Sequence, residues 1–85
     1  MNHFVYILKG KNGYLYTGIT WNLGKRIKQH NLGLSKVTKD KLPVRLIYYE
    51  EFGDKFTAAK REKEIKGWTR EKKLTLAFNK QNSLP

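Results

Sequence analysis

VYILKGKNGYLYTGITWNLGKRIKQH, residues 5–30, is the stretch whose reading decides the fold. Val5-Tyr6-Ile7-Leu8 and Tyr14-Leu15-Tyr16-Thr17 are two short runs of strand-favouring residues. Between them Gly10-Lys11-Asn12-Gly13 is turn chemistry, since Asn and Gly accept positive φ at little cost. The pair therefore reads as a tight antiparallel hairpin. Its register is left open by the sequence. Side chains alternate along a strand, so a loop with an odd number of residues puts Tyr6 and Tyr16 on one face, and a two-residue Asn-Gly turn puts them on opposite faces. Asn22 then suits a helix N-cap, and Leu23, Ile27 and His30 recur at helical spacing with Arg26 on their flank.

Working outward, strands are expected at residues 2–9 and 14–19 and a helix at 23–31, in which Gly24 costs about 1 kcal/mol relative to Ala. Residues 34–42 (LSKVTKDKL) lack periodicity and read as an exposed basic loop, closed by Pro43. Residues 44–52 (VRLIYYEEF) form a third strand. Asp54 caps a second helix that runs to about Lys66 and stops at Gly67. Thr69 caps a last helix through Phe78, with Leu74, Ala77 and Phe78 inward. The expectation is an α+β fold, a three-stranded antiparallel sheet flanked by three helices in the order ββαβαα. Residues 1–80 make one domain and 81–85 a frayed tail.

Composition narrows the function. The chain has 85 residues and no cysteine, which excludes a disulfide frame and thiolate metal sites. No apolar run reaches the length of a membrane span and no signal peptide is visible, so the cytoplasm is the default compartment. Eighteen Lys and Arg against seven Asp and Glu leave a net charge of +11. That charge points to a polyanion, and DNA is the expected partner. A merely solubilising basic surface is the competing reading; a membrane surface fits less well, because no helix opposes an apolar face to a wholly basic one.

The second helix carries an anomaly. At about 100° per residue from Ala58, Ala59 falls at about 100°, Ile65 at about −20° and Glu62 at about 40°, within the apolar arc. An ionised carboxylate there costs several kcal/mol unless compensated. Either it bridges to Arg26, Arg45 or another base, or it is a metal ligand or acid at the floor of a cleft. Trp21 and Trp68 flank helix ends, where packing and stacking on an unpaired base are both open.

The hairpin and helix resemble the start of a GIY-YIG nuclease domain. The signature triplets read Val5-Tyr6-Ile7 and Tyr16-Thr17-Gly18, followed by Arg26 and His30. With Asn31, Lys36, Thr38, Pro43-Val44, Arg61-Glu62-Lys63 and Ile65-Lys66 in order, the chain is similar to the small stand-alone UPF0213 branch over nearly its whole length. Ile19 departs from the lysine of excision-repair members, and Asn79 is the candidate for an asparagine that several members carry. The resemblance implies a Mg²⁺- or Mn²⁺-dependent endonuclease acting on DNA, in repair or processing. It implies Glu62 as metal ligand, Arg26 on the scissile phosphate and Tyr6 as base or orienter of the water. Tyr16 supports Tyr6, and His30 shares the proton transfer unless it is merely a packed helix histidine. A free tyrosine titrates near 10, so Tyr6 needs the metal, Arg26 or a lysine to lower it. Gly18 lets the backbone of the second strand approach substrate or helix closely, and Lys25, Lys36, Lys39, Lys41, Lys60 and Lys63 are candidate phosphate contacts. Two other readings compete: a non-catalytic nucleic-acid-binding domain of the same fold, and a subunit docking on a partner protein. The small size also leaves room for a protein partner that targets the enzyme.

Overall fold

A computed structural model describes residues 2–83, with side chains through Lys80. The elements follow the expected order: β1 (His3–Lys9), β2 (Leu15–Thr20), α1 (Leu23–Asn31), β3 (Arg45–Phe52), α2 (Lys55–Lys66) and α3 (Arg70–Ser83). The sheet is antiparallel with spatial order β2-β1-β3. β1 is therefore central, which explains its unbroken apolar run. Val5, Tyr6, Ile7 and Leu8 are all buried because both faces of a central strand are covered. Each such side chain contributes roughly 1.5–3 kcal/mol of burial.

The two faces build two cores. Val5 and Ile7 pack with Tyr48, Ala58, Ile65 and Ala77 beneath α2 and α3. Tyr6, Leu8 and Val44 pack on the opposite side with Tyr16, Leu23 and Ile27 of α1. A bulge in β3 keeps the faces in phase. Ile7 pairs with Tyr48 but Leu8 pairs with Leu46, so Ile47 is extra and joins the α2/α3 core while Leu46 stays with Leu8.

Local chemistry holds the helices as expected. Asn22 Oδ1 accepts the Lys25 N–H at 3.1 Å, Asp54 Oδ1 accepts the Thr57 N–H at 2.8 Å, and Thr69 Oγ1 accepts the Lys72 N–H at 3.2 Å. Gly67 is the C-cap of α2, in an ordinary right-handed conformation (φ −80°).

Four expectations need correction. Phe78 is 61% exposed and Leu76 takes its inward place, because α3 presents Ala77 and its neighbours to the sheet. α3 continues to Ser83, past the expected end at Phe78; of the expected frayed tail at 81–85, residues 84–85 and all its side chains lie outside the described residues. The loop at 34–42 is not exposed throughout. Ser35 and Thr38 are buried and residues Lys39–Lys41 form a 3-10 turn. Finally, Ala59 is exposed, so the apolar arc of α2 is centred on Ala58 and Ile65, and Glu62 stands at its margin rather than its middle.

Candidate active site

The hairpin settles the register that the sequence left open. Gly10 N–H bonds the Tyr14 carbonyl at 2.8 Å and encloses a 3-10 turn at Lys11–Gly13, with Asn12 at φ 58° and Gly13 at φ 74°. The longer loop pairs Tyr6 with Gly18 and Leu8 with Tyr16. Tyr6 and Tyr16 consequently share a face, with ring centroids 6.1 Å apart. Opposite Tyr6, only glycine fits: a Cβ at Gly18 would lie 2.5 Å from the Tyr6 hydroxyl oxygen and 2.8 Å from Tyr16 Cε2. Gly18 thus serves the approach of a tyrosine ring.

α1 lies on that same face and brings Arg26 and His30. His30 is fully buried, with its ring 5.2 Å from that of Tyr16. Its Nε2 is 3.1 Å from the Tyr6 hydroxyl and its Nδ1 is 2.7 Å from Thr38 Oγ1. Arg26 lies close enough to Tyr6 for its positive charge to favour the ionised phenol. The Tyr6 hydroxyl can donate its proton to His30 Nε2 when the imidazole is neutral and carries its own proton on Nδ1. In that tautomer Nδ1–H donates to Thr38 Oγ1. Burial lowers the His30 pKa below its usual value, and the Arg26 charge lowers it further. Burial pushes the Tyr6 pKa up to about 12. Arg26 pulls it down as expected, but desolvation outweighs the pull.

Thr38 is the residue whose role sequence reasoning missed. It sits among lysines in an aperiodic loop, and its place in the branch pattern was the only signal. What seats it is Asn31, whose Nδ2 donates to the Val44 carbonyl at 2.9 Å and whose Oδ1 accepts the Val44 N–H at 2.8 Å. The loop is thereby tied to the end of α1, over His30.

Glu62 belongs to an element on the other side of the sheet. Its side chain is 18% exposed, and its ion pair is with Lys66 at 3.4 Å. Of the bridges considered, neither Arg26 nor Arg45 is its partner. Arg26 donates to Gln29 at 3.3 Å, and Arg45 pairs with Lys9 at the hairpin end of the sheet. The Glu62 charge nevertheless reaches Tyr6 and raises its pKa. Tyr6, Tyr16, Arg26 and His30 are brought together directly, and Glu62 stands within electrostatic reach.

Arg61, next in sequence, faces elsewhere. Its Nε and Nη2 grip Glu50 at 2.9 and 3.0 Å, Tyr48 donates to the same carboxylate, and the guanidinium lies 5.0 Å over Trp68. This cluster ties α2 to β3 and to the start of α3. Burial alone would raise the Glu50 pKa, but the hydrogen bonds from Arg61 and Tyr48 hold it below the ordinary carboxylate range. Of the expected phosphate contacts, Lys25, Lys36, Lys39, Lys60 and Lys63 are exposed, whereas Lys41 is half-buried over the Tyr14 ring at 5.7 Å.

Among the described residues no three His, Cys, Asp or Glu gather as a metal cage, and no helix is long and apolar enough to cross a membrane. Glu62 does supply one hard oxygen donor, largely shielded and, among the described residues, ion-paired with the half-exposed Lys66. That donor set suits Mg²⁺, which keeps several waters and takes substrate phosphate oxygens beside one or two carboxylates.

A family model described as the GIY-YIG catalytic domain matches residues 2–75. A UPF0213 protein of Staphylococcus saprophyticus is 51% identical over 75 residues, covering 87% of this chain and 92% of that protein. A UPF0213 protein of Staphylococcus aureus is 49% identical over 76 residues, covering 88% of this chain and 93% of that protein. Among solved structures, the solution NMR structure of a UPF0213 protein from Bacillus halodurans is similar with a TM-score of 0.62 and 42% identity. It covers 94% of this chain and 86% of that one.

Proposed function

The chain belongs to the GIY-YIG family, in its UPF0213 group, and from that premise we propose that it is a metal-dependent endonuclease that hydrolyses DNA phosphodiester bonds in repair or processing. The observation that carries this reading is the hydrogen-bonded line from Tyr6 through His30 to Thr38, with the Arg26 charge acting on Tyr6. A tyrosine with a pKa of about 12 is a poor source of tyrosinate at neutral pH. It serves as a base only by handing its own proton on as it takes one. His30 is placed to receive that proton: burial favours its neutral form, and with Nδ1–H donated to Thr38 the Nε2 lone pair faces Tyr6. Water attacking phosphorus gives a proton to the Tyr6 oxygen while the Tyr6 proton passes to Nε2. Arg26, with its planar fork, binds two oxygens of the scissile phosphate and stabilises the charge that develops there. Tyr16 closes the other side of the His30 ring.

Glu62 would hold Mg²⁺ or Mn²⁺, whose contribution when bound is to neutralise phosphate charge and favour departure of the leaving oxygen. Lys25, Lys36, Lys39, Lys60 and Lys63 supply positive charge for the flanking backbone.

One observation favours a second reading. Tyr6 is only 1% exposed, and a non-catalytic nucleic-acid-binding domain needs no water to reach it. A cleavage assay with Mg²⁺ on branched, duplex and single-stranded DNA, beside a Glu62→Ala control, separates the two. Metal-dependent cleavage that the control loses supports the nuclease. Binding without cleavage on all three substrates supports the binding domain.

A further inference from the structure

The two tryptophans both flank helix ends but live in different surroundings. Trp68 packs against the α2/α3 core, with Arg61 at 5.0 Å and Lys72 at 4.2 Å over its ring. Trp21 is 53% exposed, and among the described residues it has neither an aromatic ring nor a cationic group against it. A large exposed ring left bare beside a functional site is unusual enough to ask what covers it.

Trp21 stands between two small clefts. One, of about 180 Å³, is lined by Thr20, Trp21, Asn22, Lys25, Arg26 and Gln29. The other, of about 230 Å³, is lined by His3, Ile19, Thr20, Trp21 and Lys55. Both are smaller than the roughly 300–1,000 Å³ of drug-sized sites, so each suits a fragment such as one base or one phosphate. The first contains Arg26, whose charge acts on Tyr6. The second is bordered by His3, whose Nδ1 is buried without a hydrogen-bond partner among the described residues. Each also has a lysine. An aromatic face flanked by cations, next to a phosphate-binding arginine, is the arrangement that holds an unpaired nucleotide: the base stacks while the backbone follows the charge. A base paired inside a duplex offers no free face.

We propose that Trp21 is a stacking platform for one unpaired base next to the scissile phosphate. The preferred substrate is then DNA with a single-stranded segment at the cleavage point. This rests on the phosphate-binding role given to Arg26 above.

The test is fluorescence anisotropy of labelled oligonucleotides, with metal chelated so that nothing is cut. The full chain, Trp21→Ala, Trp21→Phe and Phe56→Ala are each titrated with a single-stranded thymidine oligomer and with a duplex of equal length. Trp21→Ala should weaken single-strand binding about 5- to 150-fold, the range that one base–aromatic stack gives, and leave duplex binding unchanged. Trp21→Phe should recover much of the loss. Phe56 is 91% exposed but lines neither cleft, so Phe56→Ala should behave as the parent. Equal losses on both DNAs, or no loss on either, overturn the stacking site while leaving nucleic-acid binding in place. Failure of the parent chain to bind either DNA overturns that reading as well, and the surface would then belong to a protein partner.

Discussion

Thr38 contributes a single oxygen to the site, and by accepting from His30 Nδ1 that oxygen leaves Nε2 free to take a proton from Tyr6. Thr38→Val removes it at nearly constant volume and leaves a buried N–H unpaired, which should cost about 1–3 kcal/mol of stability. Cleavage should fall about tenfold, as expected for ~1.4 kcal/mol of lost alignment, and Thr38→Ser should restore both. Thermal melts and initial rates on the pair check this; a serine variant as impaired as the valine would mean that the methyl packing matters and the hydroxyl does not. The same relay fixes a pH dependence. Its base form is neutral His30, whose pKa is lowered by burial and then by Arg26. The cleavage rate should therefore rise with pH along a limb centred below about 6.5 and then stay flat through about pH 9, because Tyr6 titrates only near 12. Folding stability has the same sign. The unfolded imidazole binds a proton more readily, so stability is full above about pH 6.5 and is lost as pH falls toward the lower folded value. A rate that rises instead between pH 9 and 10, as flagged by the ordinary tyrosine value of about 10, would assign the limb to tyrosinate and remove His30 from the relay. At this scale the sequence was informative about residue type and silent about pairing. Tyr6, Arg26 and His30 could be picked by spacing and resemblance, but the hydrogen bonds that His30 makes depend on a loop with no periodicity.

The hairpin and α2 show where element-level reading holds and where it stops. Strand and helix positions were legible because the runs of strand-favouring residues, the Asn22, Asp54 and Thr69 caps, and the Pro43 and Gly67 breaks all agree with the local backbone. Hairpin register was not legible: Asn12-Gly13 fits a two-residue turn as well as the longer loop that forms, and the choice depends on pairing Tyr6 with Gly18. That pairing is testable. Gly18→Ala forces a Cβ into the Tyr6 hydroxyl and ring, so it should cost about 1–3 kcal/mol and move the ring off His30, lowering cleavage as well as the melting temperature. Gly53→Ala, which meets nothing within 4 Å, is the matched control and should leave cleavage unchanged. Unaltered cleavage by Gly18→Ala would show that the Tyr6 position is not demanding. On α2 the helical arc put Glu62 in its middle and Ala59 inside, whereas Glu62 stands at the margin and Ala59 is exposed. An arc drawn from sequence has no knowledge of how wide the receiving surface is; here Ala58 and Ile65 alone fill it.

Across the whole molecule, a charge of +11 in 85 residues is a statement about partners. If the exposed Lys25, Lys36, Lys39, Lys60 and Lys63 meet phosphates, roughly five counterions are released, and log K for duplex DNA should fall against log salt with a slope of roughly −4 to −5. A flat response would mean that the basic surface only keeps the protein in solution. The central claim is narrower: we propose that Glu62, whose charge reaches Tyr6, serves the reaction and not the fold. Its partner Lys66 is half exposed, so removing the carboxylate strands no buried cation, and surface pairs of this kind contribute at most about 1 kcal/mol. The most direct measurement is metal-dependent cleavage by Glu62→Gln, with a thermal melt and DNA affinity taken on the same sample. The prediction is an unchanged melt, DNA affinity equal or raised, and cleavage abolished. A lowered melt with metal-dependent cleavage intact would contradict it and leave Glu62 a structural residue.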